Sequence, residues 1–471
     1  MEDRLKTELL DFIDRNREEF IRISQELWEK PELGLEEYNS SARITEVLEK
    51  YGFAVTRGVS GMPTAFVAEY GRGKPVVGLS VEYDCLPGLS QKKGAAEYDP
   101  IIPGAPGHGC GHNILGVAAA LSAAALKSIL ENNNIEATVK VFGTPAEEIC
   151  VGKPFMARDG WFDGLDCILD WHPLYENYAN SDFCSAYFNV KYHFHGKTAH
   201  GNSPWFGNST LDAAIWTGHA IEVLREHIRP EHEACANTVN YTFSHVGPEI
   251  PNVVPDRTDL WCIGRIRTSG EMQSVMKRID LCAEAGAMAT GTTVEKEFIT
   301  ASREKIPNTV LTKLLHRNME EIGTIAYTEE EQNFVKNIQR NCGIAEEGLP
   351  TGITEWKECG SNVTDSAEYS WKAPLANFGL AVAPYDGWHN WKVVSCVGSS
   401  VGMKGMVQAA KILAASCMEA IRTPEIIKEA KAELEERLKG KAYVELIPED
   451  VKPPIGINHE TMEKYRILQQ K

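Results

Sequence analysis

The order of predicted strands and helices changes near residue 185, and this change restricts the chain to a few folds. Before it, apolar strands at 65–70, 76–81, 138–142 and 167–171 alternate with helical stretches. Such alternation is typical of an α/β sheet covered by helices. After it, the order becomes strand, helix, strand, strand, helix, strand over about 110 residues, which is typical of helices packed on a small antiparallel sheet.

A small domain inserted into a larger one accommodates both patterns. We predict an α/β body, with a central mixed sheet covered by helices, formed by residues 1–185 and 297–440. Residues 186–296 form the insertion, an α+β domain of the ferredoxin-like kind. Residues 441–471, which are rich in proline, are predicted to form an extended tail. A chain of 471 residues suits this division, because domains usually contain about 100–200 residues.

The overall charge and the cysteines narrow the class of protein. The chain has 48 basic and 66 acidic side chains, a net charge of −18, which argues against nucleic acid and anionic membranes as partners. The most apolar run, 114–126, is shorter than the about 20 residues that cross a bilayer, so we predict a buried core helix. The charged N-terminus is unlike a signal peptide. Twelve scattered cysteines favour a reduced, cytoplasmic protein over a disulfide scaffold.

The first candidate for chemistry is the glycine-rich segment Gly-His-Gly-Cys-Gly-His-Asn at 107–113, just before the predicted core helix. Its three glycines permit a tight loop that aims Cys110 and His112 at one point. Thiolate and imidazole are good ligands for Zn²⁺ and similar ions. A glycine-rich turn with an incidental cysteine and histidine is the alternative.

Further polar side chains stand where predicted strands end. Asp84 follows the second strand, Glu147 and Glu148 follow the third, His172 lies at the exit of the fourth, and His389 follows a late apolar strand. The carboxyl ends of strands are where α/β sheets carry their ligand sites. Paired glutamates are also common on surfaces, and a histidine between two tryptophans is often packing. Together, however, these residues supply the thiolate, imidazoles and carboxylates of a two-metal hydrolytic site.

A series of motifs extends over nearly the whole chain. They are PELGLEE, GKPVVGLSVEYDCLPGLSQ, GHGCGHN, PAEE, DWHP, GKTAHGNSPWFGNSTLDAA, PNVVPD and TDSAEYSW, in this order. In content and spacing they resemble the two-metal aminoacylase and carboxypeptidase-type amidohydrolase (peptidase) family. The resemblance implies that the larger body is a catalytic metal-binding domain and that the insertion is a dimerisation or lid domain.

The resemblance also implies roles for individual residues of the body. Two divalent metal ions, Zn²⁺ or Mn²⁺ with Co²⁺ or Ni²⁺ as alternatives, would be held by Cys110, His112, Glu148, His172 and His389. Cys110 would bridge the two ions. Glu147 would be the general base, and Asp84 would support a metal ligand through a hydrogen bond.

In the insertion, the resemblance implies a homodimer in which His200 reaches the active site of the partner and steadies the oxyanion. Asn252 and Arg265 would hold the carboxylate of the substrate. Arg267 lies two positions further on the same predicted strand, so the choice between the two arginines stays open. A second type of partner subunit also stays open.

The expected activity is metal-dependent hydrolysis of the amide bond of an N-acyl or aminobenzoyl amino acid, or of a dipeptide. Ile149 and Cys150 after the glutamate pair, and Glu368 in place of an aspartate, depart from the family pattern and leave the substrate open. One alternative is hydrolysis of another C–N bond, such as deamination of an aromatic amine. The other is a non-catalytic metal-binding subunit.

Overall fold

The computed structural model describes residues 2–230, 237–248 and 250–469. The helices are α1 (Glu2–Glu29), α2 (Tyr38–Lys50), α3 (His112–Asn132), α4 (Gly152–Arg158), α5 (Thr210–Arg225), α6 (Ser269–Thr290), α7 (Thr309–Ile322), α8 (Glu329–Asn341), α9 (Ala367–Ser370), α10 (Trp391–Val397), α11 (Ser400–Arg422), α12 (Pro424–Leu438) and α13 (His459–Gln469). The strands are β1 (Ala54–Arg57), β2 (Phe66–Arg72), β3 (Val76–Val81), β4 (Ala137–Gly143), β5 (Cys167–Leu174), β6 (Ser181–Phe183), β7 (Ala186–His195), β8 (Thr238–Val246), β9 (Arg257–Ile266), β10 (Thr293–Ser302), β11 (Glu358–Gly360) and β12 (Leu375–Ala381).

The body is built on a six-stranded mixed sheet with the order β1-β2-β4-β3-β5-β12. β4, β3, β5 and β12 run parallel to one another, and β2 joins them antiparallel beside β4. Most residues of the parallel strands are buried, as expected for a sheet that is covered on both faces. This arrangement confirms the predicted α/β body.

The helix α3 runs through the centre of this body. It is long and apolar enough to cross a membrane by length and composition, but 89% of its most apolar window is buried inside the protein. It packs against α1 and α11, and its small residues, mostly alanine, allow the close approach of these helices. α3 is therefore the core helix that the sequence predicts.

The insertion forms a second, four-stranded sheet with the order β10-β7-β9-β8, in which every neighbouring pair is antiparallel. The helices α5 and α6 pack against each other and against this sheet. The β-α-β-β-α-β order and the strand order confirm the ferredoxin-like class. β7 begins at Ala186, and β10 continues to Ser302 on its way back into the body.

Two parts of the chain differ from the sequence-based expectation or fall outside the described residues. The tail is not extended throughout, because α13 forms at its end and Met462 packs against Leu33 and Cys85. A guanidinium–carboxylate pair, Arg466 with Glu36 at 2.7 Å, adds to this docking. Cys235 lies outside the described residues, and so does the start of the strand that is predicted near residue 236.

Candidate metal centre

Polar side chains converge at one edge of the body, where the parallel strands end. Asp84 follows β3, Glu147 and Glu148 follow β4, His172 lies near the end of β5, and His389 lies in the loop after β12. Parallel strands bring all their carboxyl ends to the same edge of a sheet. The start of α3, with Cys110 and His112, lies against the same edge, since His172 is 3.3 Å from the Cys110 sulfur.

Two groups of donor atoms meet at the Cys110 sulfur. The first consists of Cys110, His112 and His172, and the second of Cys110, Glu148 and His389. Within each group the donor atoms lie within 4.8 Å of one another. Because the two sets of donors share one sulfur, the residues present would suit two neighbouring cations.

The loop before α3 owes its shape to Gly111. This residue has φ of +83°, a left-handed conformation, and a Cβ at this position would lie 3.0 Å from Pro173 Cγ. Glycine therefore allows the chain to turn sharply between Cys110 and His112 and to lie against the end of β5. Both side chains consequently face the strand ends.

His112 and His172, the two histidines of the first group, both use Nδ1 for a hydrogen bond to the protein, which leaves Nε2 to face the centre. His112 Nδ1 donates to Asp84 Oδ1 at 2.8 Å, and His172 Nδ1 donates to the carbonyl of Pro173 at 2.7 Å. With its Nδ1 protonated, a neutral imidazole keeps a lone pair on Nε2, which is the atom that binds a metal. Asp84 lies where the sequence predicts a supporting carboxylate.

Buried carboxylates also hold the backbone of the glutamate loop. Asp84 Oδ2 accepts a hydrogen bond from the N–H of Glu148 at 3.0 Å, and Glu37 Oε1 accepts one from the N–H of Ala146 at 2.8 Å. Ala146 itself has φ of +58°, which is rare for a residue with a side chain. Glu147 and Glu148 are therefore aimed by a strained loop that two carboxylates anchor.

The electrostatics of the centre favour a cation. Burial, together with the neighbouring Glu82, raises the pKa of Glu147 to about 8. Burial likewise raises the pKa of Glu148 to about 8 and raises that of the Cys110 thiol. Burial lowers the pKa of His172 to about 4, so its imidazole is neutral at physiological pH. The raised pKa values of Glu147, Glu148 and Cys110 express mainly the free-energy cost of burying ionised acids, which a divalent ion would offset.

The atoms that face the centre support this view. Glu82 Oε2, His112 Nε2 and Glu148 Oε1 are buried and have no hydrogen-bond partner among the described residues. Buried polar atoms are nearly always paired, so three such atoms at one place are suited to hold a cation. The residues present therefore fit divalent metal ions of the borderline or soft kind.

Four polar residues beside the centre were not assigned a role from the sequence: Glu82, Lys153, Thr364 and Asp365. Lys153 is fully buried and contacts Glu82 and Asp365. The Thr364 hydroxyl donates to Glu147 Oε1 at 2.8 Å, which fixes the carboxylate of the predicted base. A lysine within the apolar stretch Val-Gly-Lys-Pro-Phe-Met was the available signal for Lys153, since lysine is rarely buried without a partner.

The structure places the predicted residues of the insertion apart from this cluster. His200 and Asn252 are exposed and lie on adjacent segments, with Gly201 N donating to the Asn252 carbonyl at 2.6 Å. Arg265 lies on β9 with its guanidinium 5.8 Å from the ring of Tyr187, and Arg267 lies 5.2 Å from the ring of Phe183. His200 belongs to none of the donor groups found among the described residues of the chain.

The α/β body, the inserted ferredoxin-like domain and the buried thiolate–imidazole–carboxylate cluster define a metal-dependent amidohydrolase. Comparison with known proteins identifies the family within this class. The chain belongs to peptidase family M20/M25/M40, whose model matches residues 78–333. The family predicted from the motifs is thereby confirmed, as is the enzyme class.

Individual relatives extend the match to nearly the full length. The chain is 34% identical to a subunit of the p-aminobenzoyl-glutamate hydrolase from Escherichia coli strain K12, over 94% of this chain and 97% of that protein. It is 30% identical to the Xaa-Arg dipeptidase of Mus musculus, over 92% of this chain and 93% of the relative. Among solved structures, the Bacillus subtilis YXEP protein, a dinuclear metal binding peptidase from the M20 family, has the same fold. The TM-score is 0.54 at 17% identity, over 86% of this chain and 99% of that chain.

Proposed function

We propose that the protein hydrolyses the amide bond of an N-acyl or aminobenzoyl amino acid, or of a dipeptide, at a centre of two divalent metal ions. The observation that carries this proposal is the pair of donor groups that share the Cys110 sulfur. The names of its relatives, one of them a component of p-aminobenzoyl-glutamate hydrolase and another a dipeptidase, support this range of substrates. The dinuclear metal binding of the Bacillus subtilis protein supports the number of ions.

The ligands in this proposal are Cys110, His112 and His172 for one ion, and Cys110, Glu148 and His389 for the other. Bound there, the ions would activate a water molecule and polarise the amide carbonyl. Thiolate and imidazole favour Zn²⁺, while the carboxylate also suits Mn²⁺, with Co²⁺ and Ni²⁺ as alternatives.

Glu147 is the proton carrier in this mechanism. Its Oε1 accepts the Thr364 hydroxyl, and its Oε2 lies 3.9 Å from His112 Nε2, so the second oxygen faces the donor groups. This oxygen takes the proton of the attacking water and delivers it to the leaving amine nitrogen. The carboxylate of Glu147 is therefore placed to bind and to release a proton beside the donor groups.

The experiment is the isosteric substitution Glu147→Gln, assayed on a panel of N-acyl amino acids, aminobenzoyl-glutamate and dipeptides after loading with Zn²⁺ or Mn²⁺. We expect turnover to fall by about 10²–10⁴-fold, while metal content and melting temperature stay at wild-type values. Glu331→Gln is the matched control. Glu331 is a buried glutamate that pairs with Lys404 on another part of the body, so this variant should retain full activity.

An active Glu147→Gln variant would contradict the role of Glu147. Release of ammonia in place of an amino acid would favour deamination.

The inserted domain completes the proposal as a lid and a dimer interface. Its edge strand β8 has an unpaired side among the described strands, and α5 exposes Ile215, Trp216 and Val223 by 51–54%. Exposed apolar side chains on one helix are typical of an interface with another protein. We infer a homodimer through this domain, in which His200 of one protomer completes the active site of the other.

Arg265 and Asn252 would hold the carboxylate of the substrate in this arrangement. Arginine suits this role, because its guanidinium binds a carboxylate through two parallel hydrogen bonds. Arg267, whose guanidinium lies 5.2 Å from the ring of Phe183, remains the alternative to Arg265.

Two further points belong to the proposal. The cytoplasm is the expected compartment, because the cysteines among the described residues are free thiols. A second type of subunit is a further expectation, since the Escherichia coli relative is itself named as one subunit of its hydrolase.

A further inference from the structure

A carboxylate that the proposed ligand set does not use faces the metal centre. Glu82 follows β3, and only 2% of its surface is exposed. Its Oε1 is 2.8 Å from Lys153 Nζ, whereas its Oε2 has no hydrogen-bond partner among the described residues. This free oxygen lies 3.4 Å from Nε2 of His112, the nitrogen that is itself unpaired.

Lys153 fixes the position and the charge of this carboxylate. The ammonium group is fully buried in α4, and it also pairs with Asp365. Asp365 accepts a second hydrogen bond from the backbone N–H of Lys153 at 3.3 Å. A buried ammonium group must be paired with anions, so Lys153 keeps Glu82 ionised and holds Oε1 away from the centre. Oε2 is thereby turned toward His112.

We propose that Glu82 is a further metal ligand of this centre, where it shares an ion with His112, and that Lys153 is the residue that positions it. The inference rests on the proposed two-metal function. Donor atoms of Glu82, His112 and Glu147 lie within 4.8 Å of one another, so Glu82 Oε2 can share an ion with His112 Nε2.

The added carboxylate changes the chemistry of this position. Cys110, His112 and His172 alone form a thiolate–imidazole set, which favours Zn²⁺. An oxygen ligand raises the coordination number and suits harder ions such as Mn²⁺. It also adds a negative charge beside the Cys110 thiolate, which the two ions would share.

The decisive variant is Glu82→Gln, because the amide can still accept a hydrogen bond from Lys153 but carries no charge. Wild type and variant are stripped of metal, equilibrated with Zn²⁺ in a competing chelator, and analysed for bound metal per chain. We expect wild type to hold two ions, and Glu82→Gln to hold one at its wild-type affinity and the other at least about tenfold more weakly. The melting temperature of the metal-free proteins shows that both are folded.

Asp182→Asn is the matched control. Asp182 is a buried carboxylate that pairs with the buried Lys305 at 2.7 Å, and neither residue belongs to a donor group found among the described residues. Its conversion to an amide is therefore the same chemical change beside the same kind of cation, and it should leave both metal affinities unchanged.

A spectroscopic measurement distinguishes a ligand from a structural residue. The visible bands of protein-bound Co²⁺ change in intensity with coordination number, so Glu82→Gln should alter them while Asp182→Asn should not. Lys153→Met should also weaken metal binding, and Lys153→Arg should bind metal more tightly than Lys153→Met.

If wild type binds two ions, unchanged affinities and unchanged Co²⁺ bands in Glu82→Gln would overturn the inference. Failure of wild type to bind any metal would instead overturn the proposed function.

Discussion

Asp84 connects His112 to the glutamate loop: its Oδ1 accepts from His112 Nδ1 at 2.8 Å and its Oδ2 from the N–H of Glu148 at 3.0 Å. Both partners are donors, so both oxygens of the carboxylate are needed. In Asp84→Asn one oxygen becomes an NH₂ group, which faces one of these donors and cannot accept from it. We expect metal affinity to fall by about 10–100-fold, as measured by competition with a chelator.

Asp166→Asn is the control for this prediction. Asp166 is also a buried aspartate that accepts a backbone N–H, from Val76 at 2.7 Å, but it lies at the opposite end of the parallel strands. Its substitution should lower the melting temperature without changing metal affinity. Equal metal affinities in wild type and Asp84→Asn would show that Asp84 does not support a ligand.

The loop that carries Glu147 also depends on a close contact with the N-terminal segment. A Cβ on Gly34 would lie 2.8 Å from Cβ of Ala146, which is closer than two non-bonded carbon atoms approach. Because Glu37 in the same segment accepts the N–H of Ala146, the clash in Gly34→Ala would push the glutamate loop out of position. We expect a loss of about 1–3 kcal/mol in the free energy of unfolding, together with a lower kcat.

Denaturant unfolding and steady-state kinetics measure these two effects. Gly352→Ala provides the comparison, because a Cβ there meets no atom within 4 Å and the same residue type is exchanged. It should change neither quantity. If Gly34→Ala were as stable and as active as wild type, the N-terminal segment would have no part in positioning Glu147.

Much of the centre could be predicted because of where its residues stand in the sequence. Asp84, Glu148 and His172 come at the ends of apolar strands, and parallel strands bring those ends together whatever the rest of the chain does. His112 stands at the start of the core helix, where the glycines around it indicate a tight loop. For such residues, local pattern alone fixes the edge of the sheet on which they lie.

Other features could not be predicted in this way. Lys153 and Asp365 are 212 positions apart, and only the packing of α4 against the segment before α9 brings them together. Similarly, the contact of Met462 with Leu33 gives α13 its docking site, but no local pattern connects the tail to the N-terminal segment. Their positions depend on tertiary contacts, which a single sequence does not reveal.

His193 gives the inserted domain a pH-dependent contribution to stability. Its Nδ1 donates to Asp259 at 2.8 Å and its Nε2 to Glu297 at 2.9 Å, so it joins β9 and β10 across β7. Partial burial works to lower the pKa of His193, but the two carboxylates outweigh it and raise the pKa above its ordinary value of 6.5. Stability from this group is therefore fully present below about pH 6.5 and is lost as the pH rises through the raised pKa.

His193→Gln should remove this dependence. The difference in melting temperature between wild type and variant, measured from about pH 5 to about pH 9, should be largest at low pH and shrink toward alkaline pH. Because His193 is partly exposed, the effect should stay within about 1 kcal/mol. His195→Gln, two residues further on the same strand at an exposed position, should show no such trend. A difference that grew with pH would contradict the charged pairing.

The proposed role of His200 across a homodimer can be tested by mixing two inactive variants. If the histidine acts in the site of the partner, Glu147→Gln and His200→Ala should each be nearly inactive alone. A heterodimer of the two, however, contains one site with an intact Glu147 and an intact His200 from the other protomer. Random exchange of protomers should therefore restore about a quarter of the wild-type activity.

Substitution of the exposed face of α5 supplies the control for this experiment. Trp216→Glu places a charge on the proposed interface and should yield a monomer, measured by size-exclusion chromatography with light scattering. In that background the mixture of Glu147→Gln and His200→Ala should recover nothing, because no heterodimer forms. Recovery of activity in the monomeric Trp216→Glu background would mean that His200 does not act across the interface. The same conclusion would follow if the two variants without Trp216→Glu exchanged protomers but recovered no activity. Full activity of His200→Ala alone would exclude any role for this histidine in turnover.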